Sequence, residues 1–239
     1  DAFELIAHAL SQAVESIPAS SGADLPGFMS LGVQYQTGKK FIVSNNEGIG
    51  CGATYRHDGA NALHHPSGSS MRNASIEVLE HTSNIFHERL ELITDSAGPG
   101  LHRGGLGVRR NVAFVADSEV ISMKKKTKTS AWGLNGGGEP SRNGMIVWPG
   151  TEKEKRVGLK RVFMEKGESF SNFTAGGGGW GHPYERTVEQ VLDDVKNEYI
   201  STDSARHNYG VIVADDGSRS ETQERLSHQD IAQAPCRAN

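Results

Sequence analysis

Cysteine is scarce in this chain: Cys51 and Cys236 are the only two in 239 residues. One sits in a glycine turn and the other in a polar C-terminal stretch, so they build neither a disulfide framework nor a metal-ligand spacing. Two isolated thiols predict a reducing, cytoplasmic setting. Long apolar runs are missing too, which excludes a bilayer-spanning helix, and no basic start, apolar middle and small-residue cleavage site of a secretory signal is seen. Positive charge is in deficit, with 25 Lys and Arg against 29 Asp and Glu for a net charge of -4. That balance argues against nucleic acid or an anionic membrane as the main partner, since both demand concentrated positive charge. The one basic run, Lys124-Lys125-Lys126-Thr127-Lys128, is expected to be a solvated edge or a contact with an acidic partner. No Gly-Lys-Ser/Thr phosphate loop and no serine nucleophile elbow occur. Cys51 has no identifiable base, which leaves it a small buried thiol rather than a nucleophile.

Glycine, by contrast, is abundant at 29 residues. Five fall within eight positions in Thr174-Ala175-Gly176-Gly177-Gly178-Gly179-Trp180-Gly181, and such a run permits close approaches that a Cβ forbids. Gly98-Pro99-Gly100-Leu101-His102-Arg103-Gly104-Gly105-Leu106-Gly107 and Trp132-Gly133-Leu134-Asn135-Gly136-Gly137-Gly138 are two further stretches. Backbone N–H groups at Gly104, Gly105, Gly107, Gly176, Gly177, Gly178 and Gly179 could cradle phosphate. The first stretch precedes a strand rather than opening a helix, so tight β connections and close interface contacts are expected instead.

With 36% hydrophobic residues the chain can bury a substantial core as one large domain or two small ones, provided some faces are covered by partners. Phe3, Ile6, Leu10, Ala13, Val14 and Ile17 recur at helical spacing and Pro18 ends the pattern, predicting a helix over 1–18. Strands are expected at 29–36, 40–44, 89–94, 108–116, 119–123, 145–148, 156–162 and 169–174, separated by Gly, Pro, Asn and Asp clusters. Val108, Arg110, Val112, Phe114 and Ala116 share one face of theirs. Thr187 and Gln190 form a capping box before a helix, Ser201 to Tyr209 a second helix closed by Gly210, and Val211-Ile212-Val213 a last strand. The predicted fold is α+β and β-rich, with antiparallel sheets in a sandwich or irregular barrel, an N-terminal helix and a C-terminal helical pair. One domain is expected over 1–215, with a β-rich core at 28–175 and the helices and last strand at 186–213. A polar tail follows at 216–239, ordered only against a partner.

Six of the ten histidines, His57, His64, His65, His81, His87 and His102, lie close together in sequence, with Asp58, Glu77, Glu80 and Glu88 among them. Imidazole and carboxylate are common metal ligands, but a His-x-x-x-His pair with a nearby acid is missing, so no metal is assigned and surface or interface histidines are expected. Arginine forks and amides give directional hydrogen bonds. Arg56, Asp58, Arg72 and Asn73, with His64 and His65, are therefore candidates for lining a substrate cavity. The same residues could instead cross-link loops whose backbone groups lack sheet partners. No catalytic residue is assigned.

The order and spacing of the three glycine stretches together resemble the C-terminal portion of the hydantoinase B/oxoprolinase family. Gly48-Ile49-Gly50-Cys51-Gly52-Ala53-Thr54-Tyr55-Arg56-His57-Asp58-Gly59 is similar to its glycine-rich turn followed by Gly-Ala-x-x-x-x-Asp-Gly. Met71-Arg72-Asn73-Ala74-Ser75-Ile76-Glu77 is similar to its Thr-Arg-Asn-x-Pro-x-Glu segment, with Ala74-Ser75 where a proline is usual nearby. The likeness runs from about Ala2 to about Asp215. It implies an ATP-dependent complex in which an A-type subunit phosphorylates a cyclic amide or ketone enol and the B-type subunit completes the reaction in an enclosed site. ATP and a divalent metal are then expected on partner subunits, with no cofactor on this chain. The expected partners are the A-type subunit and the N-terminal portion of the B-type subunit as a separate chain, against which the N-terminal helix packs. The resemblance implies a subunit or fragment of a hydantoinase/oxoprolinase-type complex that opens cyclic amides, inactive alone. The alternatives are a subunit of a ketone carboxylase of the acetone or acetophenone type, or a non-catalytic structural subunit. The chain does not begin with Met and is read as a split subunit, a processed fragment or an excised domain.

Overall fold

The computed structural model describes residues 2–11, 13–14, 16–22, 26–63, 73–213 and 219–222. Two antiparallel sheets carry the architecture. The first is built from β1 (Phe28–Val33), β2 (Lys40–Asn45), β5 (Ser118–Ser122) and β8 (Lys160–Met164) in the order β2-β1-β5-β8. The second holds β3 (Ile85–Leu92), β4 (Val108–Phe114), β6 (Gly144–Val147), β7 (Lys155–Val157) and β9 (Ser169–Phe173) in the order β3-β4-β9-β6-β7. Neither sheet closes on itself, so the arrangement is a sandwich and not a barrel.

The core lies between the sheets and follows from alternation along each strand. Phe28, Val120, Val162 and Met164 face inward from the first sheet, and Ile85, Val112, Phe114, Met145, Val147 and Phe170 from the second. Phe28 meets Phe170 edge-to-face with centroids 5.0 Å apart. Helix α2 (Ile76–Thr82), which the sequence reading does not anticipate, adds Leu79 to this core. Its Glu80 carboxylate accepts the His87 backbone N–H at 2.7 Å on edge strand β3, satisfying a donor that the ladder leaves unpaired.

Several expected boundaries move. The single strand expected over 156–162 is two: β7 ends at Val157, and after Gly158 and the exposed Leu159 the chain crosses to the other sheet as β8. Strand β3 starts at Ile85 and ends at Leu92 because Ile85 to His87 pair with Phe114 to Val112. The N-terminal helix α1 spans Ala2–Ser11 and not 1–18. Ser11 Oγ donates back to the His8 carbonyl at 2.6 Å, a local bond that competes with helix continuation, and the described residues that follow, up to Pro18, form turns and bends.

The C-terminal pair matches its sequence signals. Helix α3 (Val188–Lys196) opens on the Thr187/Gln190 capping box, and α4 (Thr202–Tyr209) ends on Gly210 at φ 67. With β10 (Val211–Val213) they enclose a second small core of Val191, Ile200, Ala205, Tyr209 and Val211. Of the expected tail 216–239 only Arg219–Thr222 is described, and it forms strand β11, paired antiparallel with β10 where the sequence reading places none.

Between sandwich and helical pair the glycine stretches lie side by side without forming sheet. Residues 174–181 run through the middle. A Cβ added at Gly176 or Gly179 would strike the Ser96 or Pro99 carbonyl oxygen at 2.1 and 2.0 Å. One at Gly177 would meet the Cys51 oxygen at 1.8 Å, and one at Gly178 the Trp132 oxygen at 2.1 Å. Direction therefore repeats every third residue, the period of an extended polyproline II helix, and each of the three directions is filled by another backbone. Such a chain bonds outward: Gly177 N–H donates to the Gly105 carbonyl at 2.9 Å, Gly178 to Ser20 at 2.8 Å and Gly179 to Gly138 at 3.1 Å. The expectation of tight β connections is corrected here, because these glycines are needed for contact on all sides of a straight run rather than for turning.

Candidate functional site

The candidate residues fall into two separate polar centres. Asp58 lies in the loop between Gly52 and Gly59, beside the glycine bundle. Arg186, just after the 3-10 turn Pro183–Glu185, grips both its oxygens, Nη1 to Oδ1 at 2.8 Å and Nη2 to Oδ2 at 2.7 Å. The same guanidinium reaches Asp194 of α3 at 2.7 and 3.0 Å, and Arg103 Nε binds the other Asp194 oxygen at 3.0 Å. The Arg103 backbone N–H also donates to Asp58 at 2.9 Å, and its Nη1 to Asn61 Oδ1 at 3.2 Å. Two arginines thus balance two aspartates. Burial opposes the Arg186 charge, but Asp58 and Asp194 outweigh it and hold the guanidinium protonated beyond its usual range. Burial also pushes the Tyr209 hydroxyl beside this network well up. His102 approaches Asp58 at 3.8 Å, yet burial keeps its imidazole below the ordinary value. Arg56 is exposed and lies 4.8 Å over the Tyr55 ring.

The second centre sits at one end of the sandwich. Arg110 projects from the inward face of β4, and its Nε donates to Glu47 at 2.6 Å with both side chains buried. Asn45 supplies the same Glu47 oxygen with a second donor at 2.6 Å. Asn73 joins here: with its amide turned to suit its neighbours it donates to the Asn46 carbonyl and accepts from Arg110 Nη2 at 3.2 Å. Lys124 is wholly buried and donates to the Pro26 carbonyl. Burial pushes its ammonium down to about 7, against the pull of Glu47. The basic run is therefore only in part a solvated edge: Lys125 and Lys128 are exposed, while Lys126 turns inward to Ser20 Oγ at 3.1 Å and the Ser21 carbonyl at 3.0 Å. His87, nearby on β3, holds Glu80 through Nδ1 at 3.3 Å, and burial followed by the Arg110 charge lowers its pKa.

Asp58 and Asn73 share no partner among the described residues, while His64, His65 and Arg72 lie outside them. The remaining histidines are dispersed, with His57 and His81 exposed, and no three His, Cys, Asp or Glu side chains among the described residues could hold a metal. A surface cleft of about 510 Å³ lies elsewhere, lined by Glu91, Arg109, Asn197 and Tyr199 among others, and none of Arg56, Asp58 and Asn73 reaches it. The amides of Gly104, Gly105, Gly177, Gly178 and Gly179 already donate to backbone carbonyls, and that of Gly107 to Ser96 Oγ, so they present no phosphate cradle. Sequence reasoning passed over Glu47, Arg103, Arg110, Arg186 and Asp194. Arg110 carried a signal: a charge at the buried parity of an apolar strand requires a buried acid.

Residues 1–183 match the hydantoinase B/oxoprolinase family. The chain belongs to that family. It is 30% identical over 159 residues to the caprolactamase subunit beta of Pseudomonas jessenii, covering 64% of this chain and 27% of the relative. The crystal structure of the ATP-dependent caprolactamase from Pseudomonas jessenii superposes with a TM-score of 0.77 at 26% identity, covering 94% of this chain and 40% of that one. A nucleotide-free acetone carboxylase structure superposes at 0.73 and 20% identity over 92% of this chain and 33% of its own, a likeness of fold. This hydantoinase B-type chain spans about a quarter or less of the length of curated relatives it matches.

Proposed function

We propose that this chain is a structural wall of the B-type subunit in an ATP-dependent complex that opens cyclic amides, with ATP handled by an A-type partner and the divalent metal held elsewhere in the assembly. The observation that supports it best is that the family-matching residues are spent on holding the chain together. Asp58 is gripped by Arg186, Asn73 lies against Arg110, and the motif glycines pack on one another. Caprolactamase among the relatives favours a hydrolytic ring opening over a carboxylation. Exposed Ile6 and Leu10 on α1 support docking against further polypeptide. The test is turnover of caprolactam with ATP. The chain alone should be inactive, and in the assembled complex Arg56→Ala should stay within about twofold of the parent rate, the range of a surface residue remote from reacting atoms. Turnover by the chain alone, or a loss above tenfold in Arg56→Ala at unchanged stability, would reject the structural role.

A further inference from the structure

The outer faces of the two sheets differ in kind. On the five-stranded sheet the outward row Arg89, Asn111, Ser171, Ile146 and Arg156 is mostly polar, and Glu91 beside it binds Arg89 at 3.4 Å and Arg109 at 3.5 Å. On the four-stranded sheet, register places Ile42, Leu31, Glu119 and Phe163 in one row and Ser44, Met29, Ile121 and Arg161 in the next, with Val33 beyond. Ile42 is 70% exposed, Phe163 56% and Val33 52%. The charges within these rows, Glu119 and Arg161, neutralise each other by an ion pair. A sheet apolar on both faces needs cover on both, and the five-stranded sheet covers only the inner one.

We infer that this outer face is the seat of the polypeptide equivalent to the rest of the hydantoinase B-type subunit, whether joined to this chain or separate from it. The inference rests on the subunit assignment proposed above and goes beyond the α1 contact. Its occupant follows from length: the solved caprolactamase chain superposes on this one over only 40% of its residues, and the other three fifths belong to the same chain. A second copy fits less well. Four strands about 4.8 Å apart and six residues at about 3.3 Å make a patch roughly 19 by 20 Å, about 380 Å² on each partner, so two copies joined through it alone would fall short of the about 1,000 Å² in total that a specific interface needs. Glu119, the one acid in these rows, is held by Arg161, which leaves no carboxylate to meet Lys40 of a twofold mate.

The experiment takes as probe the three fifths of the Pseudomonas jessenii caprolactamase chain outside the match, produced separately, and measures its binding to this chain by titration calorimetry. Ile42→Lys with Phe163→Lys, both at exposed positions, should weaken binding at least tenfold with an unchanged circular dichroism melt. Phe86→Lys on the other sheet's outer face should stay within twofold. Full binding by the Ile42/Phe163 variant, with release only by Ile6→Asp and Leu10→Asp, overturns the sheet-face inference and leaves the subunit assignment standing. No binding by the parent chain overturns both. A dimer of the parent chain that the Ile42/Phe163 variant converts to monomer overturns the occupant in favour of a second copy.

Discussion

Replacing Gly177 by Ala should break the glycine bundle from its centre. The added Cβ would lie 1.8 Å from the Cys51 oxygen, 2.1 Å from its carbonyl carbon and 2.6 Å from the Gly52 nitrogen, all backbone atoms that no rotamer change can move. Real Cβ atoms essentially never approach closer than 3.0 Å, so the two segments must part by more than about 1 Å. Around this seam run the bonds Gly105 to Cys51 at 2.8 Å, Gly177 to Gly105 at 2.9 Å and Ala53 to Gly178 at 2.9 Å. Stretching them to roughly 4 Å ends them as hydrogen bonds. Each buried group left unpaired costs about 1–3 kcal/mol, so the sum is on the order of 5 kcal/mol. That is comparable with the whole stability of a domain. Gly158→Ala is the control, because its nearest neighbour is Thr127 Oγ1 at 3.4 Å, and it should shift stability by no more than about 0.5 kcal/mol. Urea unfolding followed by circular dichroism reads both, and with a slope of about 2 kcal/mol per M the Gly177→Ala midpoint should fall by roughly 2–3 M. A fall below about 0.5 M would show that the bundle is looser than these contacts require.

Two further outcomes follow from the polar centres. Burial holds the folded Lys124 at about 7 against about 10.4 in the unfolded chain, so from pH 7 to 10 the unfolded state carries the extra proton and stability rises with pH. Lys124→Met removes that dependence: the variant's advantage in urea-unfolding free energy should be largest at pH 6 and shrink by about 2–4 kcal/mol by pH 10, whereas a constant gap would mean that the ammonium is solvated. Arg186→Met leaves buried Asp194 with Arg103 alone and strips Asp58 of its bidentate partner, and should cost about 3–5 kcal/mol, while Arg56→Ala should cost under about 0.5 kcal/mol; equal losses in denaturant midpoint would refute the network.

What was legible in the sequence were the features written locally. Alternation in Val108 to Phe114 and the Thr187/Gln190 box depend on residues a few positions apart, and both stand in the structure as read. Helix α2 escaped notice because seven residues with Ile76 and Leu79 three apart make too short a period, and it holds its place through Leu79 in the sandwich core. The polar centres escaped for another reason. Glu47 meets Arg110 across 63 positions and Asp58 meets Arg186 across 128, and composition carries no trace of such pairings. Asp58 stayed open between lining a cavity and cross-linking loops, because the partner that decides its local role, Arg186, lies at the entry to the C-terminal helices. Lys124 looked solvated because runs of lysine usually are, and only the fold brings the Pro26 carbonyl to it.

The glycine bundle has a thermal consequence. Its interior is peptide groups against peptide groups, so melting it wets polar backbone far more than hydrocarbon. Hydrated apolar surface raises the heat capacity of the unfolded state and hydrated polar surface lowers it. A chain that spends dozens of residues this way should unfold with a heat-capacity increment below the usual roughly 12–15 cal/mol/K per residue. Its free-energy curve is then flat and broad in temperature, and the bundle keeps its spacing in cold conditions that loosen a purely hydrophobic wall.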